Sequence, residues 1–220
     1  MTAPSIQLIN PACARVSPKP LFESFVERFV AAMVLILTAP VIAATALSIA
    51  VLSRRSPFIA HRRVGQYGAG FWMLKMRTMW GKEARETPRR WIEYLADTHV
   101  PIAKGSSDPR VTSRFARLCR RFSIDELPQL LHVITGRMRL VGPRPITFAE
   151  WSAFYGDGAE YVLTTAPGIT GLWQVMGRNR LTYAQRRRLD MFYVAHQSLR
   201  LDAMILLRTP LRVFTGRDAG

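Results

Sequence analysis

Apolar and polar positions divide this chain into unequal parts. Phe29 to Leu52 is a run of 24 residues without a charged side chain. Wound as a helix it spans roughly 36 Å, enough to cross a hydrocarbon core of about 30 Å. A secretory signal fits poorly, because its apolar core is about 7–15 residues long. A polar, proline-rich stretch, Met1 to Pro20, comes first. A soluble core helix of this length without polar interruption would be unusual. Pro40 sits mid-segment. The pattern alone favours a plain span with a tolerated kink over a helix that turns back on itself.

After the apolar run the pattern shortens. Phe58 to Met79 reads as a hairpin, with Gly65, Gly68 and Gly70 supplying the turn and Phe71 to Leu74 an apolar strand. These glycines are not a dinucleotide fingerprint, since no βαβ unit surrounds them. Lys82 to His99 reads as a charged helix and Ser106 to Pro109 as a loop. Helices are expected over Val111 to Arg121, Ser123 to Thr135, Thr147 to Leu163 and Thr182 to His196. Gly142-Pro143-Arg144-Pro145 forces a turn, and Pro167, Gly168 and Gly171 mark a loop. Leu201 to Phe214 mixes aliphatic residues with Arg208 and Arg212, a pattern that suits a membrane surface and a core helix equally. The expected fold is α+β: mostly helical, with an N-terminal membrane helix, a small β-hairpin and surface-lying amphipathic helices. The expected organisation is a flexible tail (1–20), a membrane segment (21–55) and a catalytic domain (56–220).

Charge sharpens this picture. The net charge is +16. Before Ser53 there are three basic and two acidic residues; from Ser53 onward there are 28 and 13. That asymmetry places the C-terminal part in the cytoplasm, with Arg54 and Arg55 at the headgroups. The positive balance suits an anionic partner: nucleic acid, anionic lipid or phosphorylated substrates. No helix-turn-helix, RRM or OB signature accompanies it, so nucleic acid is not expected. Cys13 and Cys119 form no CxxC and read as reduced thiols. The four histidines show no metal-ligand spacing and read as structural or surface residues.

Candidate chemistry centres on Ser123-Ile124-Asp125-Glu126-Leu127-Pro128-Gln129, an acidic pair at a predicted helix start among Arg120, Arg121, Arg137, Arg139 and Arg144. Ser123 and Glu126 have capping-box spacing, which is a purely structural account of Glu126. Asp125 is left unexplained by it. At a helix N-terminus its ionised form would be favoured. An ionised aspartate beside arginines is suited to attack phosphorus, with Glu126 holding Mg²⁺. Arg144, fixed between two prolines, is a candidate phosphate clamp. Lys75, among apolar neighbours, points inward or along a membrane face. Arg186-Arg187-Arg188 reads as a solvated or lipid-facing surface.

Several motifs stand together in one order: Lys75-Met76-Arg77-Thr78-Met79, Asp108-Pro109-Arg110, the acidic stretch 123–129, Leu140-Val141-Gly142-Pro143-Arg144-Pro145 and Pro167 to Gln174. Gly177-Arg178-Asn179, Leu189-Asp190 and Tyr193-Val194 follow. In these the chain resembles the bacterial sugar transferases, the small monotopic polyprenyl-phosphate phosphoglycosyl transferases that initiate exopolysaccharide synthesis. The resemblance runs from about Pro20 to the C-terminus. It implies transfer of a sugar-1-phosphate from a nucleotide diphosphate sugar, with uridine the expected base, to polyprenyl phosphate. It implies that Asp125 attacks the sugar-proximal phosphate to form a covalent phosphosugar, that Glu126 binds Mg²⁺, and that Lys75, Arg120, Arg144 and Asp190 support the substrates. It also implies that the apolar helix re-enters the cytoplasmic face of the cell membrane, leaving Ser17 and Ser56 on one side. Anionic lipids are expected partners, and a homodimer is compatible with the pattern.

The chain departs from the resemblance in places. Ala39-Pro40 stands where a Ser-Pro pair is usual, with Thr38 as the nearest substitute hydroxyl. Arg137 and Arg139 replace an acidic and a small polar residue, adding positive charge beside the Gly142 turn. Ala116 stands where glycine is common, and Ala184-Gln185 where acids are. Two other functions are compatible with these features: an inactive membrane-bound assembly subunit and a membrane-anchored nucleic-acid binder. The intact Asp125-Glu126 pair favours the enzyme.

Overall fold

The computed structural model describes residues 20–79, 91–95, 113–156, 159–177 and 180–215, with side chains as far as Leu211. The apolar run becomes a single helix, α1 (Leu21–Ser53), 33 residues long, with Pro40 inside it. Proline lacks the N–H that would bond the Ile36 carbonyl. Thr38 does not replace that bond. Its hydroxyl donates to Val34 O (2.7 Å) and Leu35 O (3.3 Å) instead. The helix stops where Arg54 turns left-handed (φ 51°) and its N–H reaches Ala50 O.

Most of α1's apolar side chains stay exposed, among them Phe29, Ile36, Leu37, Leu47 and Val51. It is the one described helix long and apolar enough to cross a membrane. Its buried side chains, small apart from Ile49, sit at two levels. Ala31 packs with Phe71, Met73, Leu130 and Val133. Ala46 and Ile49 pack with Met76 and Ala116. Ala116 is thus a buried core position that takes a small side chain. Both the first and the last third of α1 therefore touch the same globular body.

The hairpin forms as expected: β1 (Phe58–Val64) pairs antiparallel with β2 (Gly70–Met76) around a short 3-10 turn at Gln66–Gly68. A third strand, β3 (Ile92–Leu95), lies parallel to β1, giving the order β2-β1-β3. This corrects part of the helix expected over Lys82 to His99. Ile92, Tyr94 and Leu95 are β-branched, aromatic and aliphatic, and strand pairing outweighs weak helical pattern here; residues 80–90 and 96–112 lie outside the described part, the Ser106–Pro109 loop among them. Buried Arg77 secures the end of β2, donating to Ser56 O (2.8 Å) and pairing with Glu93.

Next come α2 (Arg114–Arg121), capped by Ser113, then a 3-10 turn over Ile124–Gln129, then α3 (Leu130–Ile134). The single helix expected from Ser123 to Thr135 is split at Pro128, which has no N–H to continue an α ladder. Strands β4 (Arg139–Val141) and β5 (Gly168–Thr170) pair in parallel, a sheet the pattern did not predict. Between them, Thr147 opens α4 (Phe148–Glu150) with a capping box: its hydroxyl accepts from Glu150 N and Glu150 accepts from Thr147 N. A π turn (Trp151–Tyr155) follows and Gly156, at φ 50°, ends it, so the expected Thr147–Leu163 helix is broken. Then come α5 (Leu172–Met176), α6 (Tyr183–Ala195) and α7 (Leu199–Thr215). Gln185, at a position expected to be acidic, accepts from Thr182 N (2.9 Å) and caps α6 as an acid would.

Backbones approach closely beside the Gly142 turn. A Cβ on Gly168 would lie 2.1 Å from Gly142 N and 2.5 Å from Thr170 O. Gly168→Ala must therefore push β5 off the turn. We expect it to lower the melting temperature by roughly 2 °C or more, as a loss above about 1 kcal/mol would in a domain of this size. An unchanged melting curve would show that the turn yields freely.

Candidate active site

The acidic pair sits on the Ile124–Gln129 turn, set against β2. Ser123 is left-handed (φ 54°) and makes no side-chain cap bond, so the expected capping box is absent here. The left-handed Ser123 directs the segment into a 3-10 turn, and Glu126 reaches across to β2. There the Lys75 ammonium lies 2.9 Å from Glu126 Oε1, and both side chains are largely shielded from solvent. Lys75 points inward, as its apolar neighbours implied.

Asp125 is not held below its usual range. Burial pushes its carboxyl up to about 6, and the Glu126 charge beside it adds to the rise; Lys75 and Arg120 pull it back down. A six-residue 3-10 turn offers little dipole, and desolvation outweighs it. Behind the pair, burial and the Asp125 charge push the Cys119 thiol up to about 11, so Cys119 is an inert core side chain. Asp125, Glu126, Lys75 and Arg120 thus form one electrostatic unit.

Arg144 and Asp190 belong to a second group. The Arg144 guanidinium lies 5.7 Å from the centre of the Trp173 ring. Arg186 approaches the same ring at 4.7 Å and Tyr183 at 5.0 Å. Its half-buried position corrects the expectation of a solvated or lipid-facing Arg186. Asp190 is buried, accepts from the Tyr155 hydroxyl (2.6 Å), and its Oδ1 has no hydrogen-bond partner among the described residues. Burial raises its carboxyl to about 7, while the Tyr155 bond and the two arginines work in the opposite sense. A cavity with room for about one water molecule lies between Pro143, Arg144, Tyr155 and Asp190. Asp190 is thus joined to Tyr155 by a hydrogen bond and to Arg144 and Arg186 by charge.

Arg139 is occupied elsewhere. It donates to Gln197 Oε1 (2.9 Å) and lies 3.9 Å from Glu27 Oε2. Glu27 Oε1 accepts from Leu140 N at 2.6 Å. The extra charge on β4 is thus answered by α1. Motif residues Asp108, Arg110, Arg178 and Asn179 lie outside the described residues.

Among the described residues no cluster of three or more His, Cys, Asp or Glu side chains could hold a metal ion. A carboxylate beside the costly Asp125 charge nonetheless suits Mg²⁺, which binds one or two carboxylates and completes its shell with water and phosphate oxygens.

A family model for bacterial sugar transferases matches residues 19–216. The exopolysaccharide production protein ExoY of Rhizobium meliloti is 43% identical over 161 residues, covering 70% of this chain and 68% of that protein. The UDP-galactose-lipid carrier transferase of Erwinia amylovora is 42% identical over 156 residues, 70% of this chain but 32% of the longer relative. The UDP-glucose:undecaprenyl-phosphate glucose-1-phosphate transferase of Caulobacter vibrioides is 36% identical over 197 residues, 86% of this chain and 68% of its own. The chain belongs to the bacterial sugar transferase family.

Proposed function

We propose that this chain moves a sugar-1-phosphate from a nucleotide diphosphate sugar, with a UDP-sugar the favoured donor, onto polyprenyl phosphate through a phosphosugar carried on Asp125. The observation that carries the reading is the unit of Asp125, Glu126, Lys75 and Arg120 in a family of sugar transferases. An Asp125 oxygen attacks the sugar-proximal phosphorus. The bond to the distal phosphate breaks, and nucleoside monophosphate leaves with the electron pair. A polyprenyl phosphate oxygen then attacks the same phosphorus, the aspartyl bond breaks and the carboxylate is restored. Lys75 and Arg120 oppose the charge that develops on the phosphoryl oxygens. Glu126 would hold Mg²⁺, which neutralises diphosphate charge when bound. Release of nucleoside monophosphate beyond one equivalent per chain that requires both polyprenyl phosphate and Mg²⁺ tests the reading; a chain that releases none from any of a panel of donors would contradict it.

We further propose that α1 enters and leaves the membrane on the cytoplasmic face. Glu27 near its start is tied to Leu140 and Arg139, and Ile49 near its end is buried beside Met76. One body cannot hold both ends on opposite sides of a bilayer without a charged contact inside it. With native cysteines replaced, cysteines at Leu21 and Arg54, both exposed, should resist an impermeant thiol reagent applied to intact cells. Labelling at position 21 from outside would establish a true span.

A further inference from the structure

We propose that His132 is a positioning residue of the transferase site, holding β2 against the acidic turn so that Lys75 meets Glu126. This inference rests on the function proposed above. β2 is an edge strand, so one side of its backbone lacks a strand partner. On that side the Leu74 N–H donates to His132 Nε2 at 2.9 Å. The next residue on the strand is Lys75, whose ammonium lies 2.9 Å from Glu126. Glu126 and His132 stand on one continuous segment, the 3-10 turn and α3. Two neighbouring residues of β2 are therefore bonded to one segment, once through a side chain and once through the backbone. The backbone bond fixes the register that the flexible lysine stem does not.

The ring is itself well placed. It packs edge-on against Phe71 of β2, with centroids 5.6 Å apart. To accept from Leu74, Nε2 must carry no proton. Burial and the charge of Arg137 favour the neutral form. Other charges set around this segment are of both signs: Lys75 next to Leu74 on β2 and Arg28 of α1 against Gly136 are cations, while Asp125 and Glu126 lie on the turn that leads into α3 and Glu126 is paired with Lys75. Acidification that does protonate His132 turns the acceptor into a donor facing a donor, and the tie is lost.

The test compares the wild type, His132→Gln and His132→Ala in bilayer nanodiscs across pH. Glutamine keeps an acceptor at the reach of Nε2 but does not titrate. Two readouts are needed: hydrogen exchange in a peptide covering 70–76, corrected for intrinsic rates, and turnover at saturating donor. His132→Ala should lose protection in that peptide and fall roughly ten- to a hundredfold in turnover, as a small misplacement of a charged group does. His132→Gln should recover both and keep its protection at acid pH, where the wild type loses it. Protection lost with full turnover, or kept with turnover lost, overturns the positioning role. A wild type without turnover on any donor contradicts the functional reading; the exchange arm still decides the tie, and His132→Ala with wild-type protection overturns it.

Discussion

Asp125→Asn is expected to abolish turnover with all donors while leaving the protein folded. Asparagine keeps the shape of the side chain but not the attacking oxygen anion. The same substitution removes a carboxyl that burial and Glu126 raise to about 6. A raised carboxyl means that the folded state binds its proton more tightly than the unfolded chain does. Stability is then present at low pH and declines as pH rises through the interval from about 4 to about 6. Above that interval the wild type carries the cost of an ionised, buried group and the asparagine variant does not. Asp125→Asn should therefore melt no lower than the wild type at pH 8. The same value governs rate: wild-type turnover should fall as pH drops through about 6, where the nucleophile becomes protonated. Thermal melts at pH 5 and pH 8 together with a turnover profile check both halves. A variant that melts well below the wild type at pH 8 would give Asp125 a structural role.

The second large effect is expected at Lys75. Its ammonium is paired with Glu126 at 2.9 Å and also lowers the Asp125 carboxyl. Lys75→Ala removes the cation paired with Glu126 and leaves Arg120 to oppose the Asp125 charge. Loss of one donor to a developing phosphoryl charge commonly costs about 2–4 kcal/mol, so turnover should fall about 30- to 1000-fold. Because Lys75 pulls the Asp125 carboxyl down, its removal should also move the acid limb of the pH profile upward. A simple loss of substrate binding would raise KM and leave that limb in place. Full kinetics at several pH values separate the two.

Much of this arrangement was legible in the residues, and the misses have identifiable causes. The apolar run from Phe29 to Leu52 announced α1, and the glycines between Phe58 and Met79 announced the hairpin. The acidic pair and Lys75 were found by residue type, and the fold brings them together with Arg120. The character of Asp125 was misread because a helix start was assumed. Left-handed Ser123 and Pro128 make a 3-10 turn instead, and desolvation then decides the carboxyl. A Ser-x-x-Glu spacing did not form a capping box, whereas Thr147 with Glu150 did. Spacing alone does not separate them; Ser123 at φ 54° lies outside the extended geometry a cap needs. β3, β4 and β5 are three or four residues each and carry too little pattern to be seen without their partners. His132 was read as structural or surface and Arg139 as added charge beside the Gly142 turn, in neither case with a partner. Their actual partners, Leu74 and Glu27, lie far away in the chain, 58 residues from His132 in the first case, and such pairings exist only after folding.

The central claim is a phosphosugar on Asp125, and intact-protein mass spectrometry addresses it most directly. The purified chain is incubated with Mg²⁺ and a panel of UDP-sugars, without polyprenyl phosphate, so that the second transfer cannot proceed. The account predicts a mass increase of one sugar-phosphate, mapped by fragmentation to Asp125, absent from Asp125→Asn and discharged when polyprenyl phosphate is added. An increment of the same mass that persists in Asp125→Asn would place the nucleophile elsewhere and contradict the mechanism.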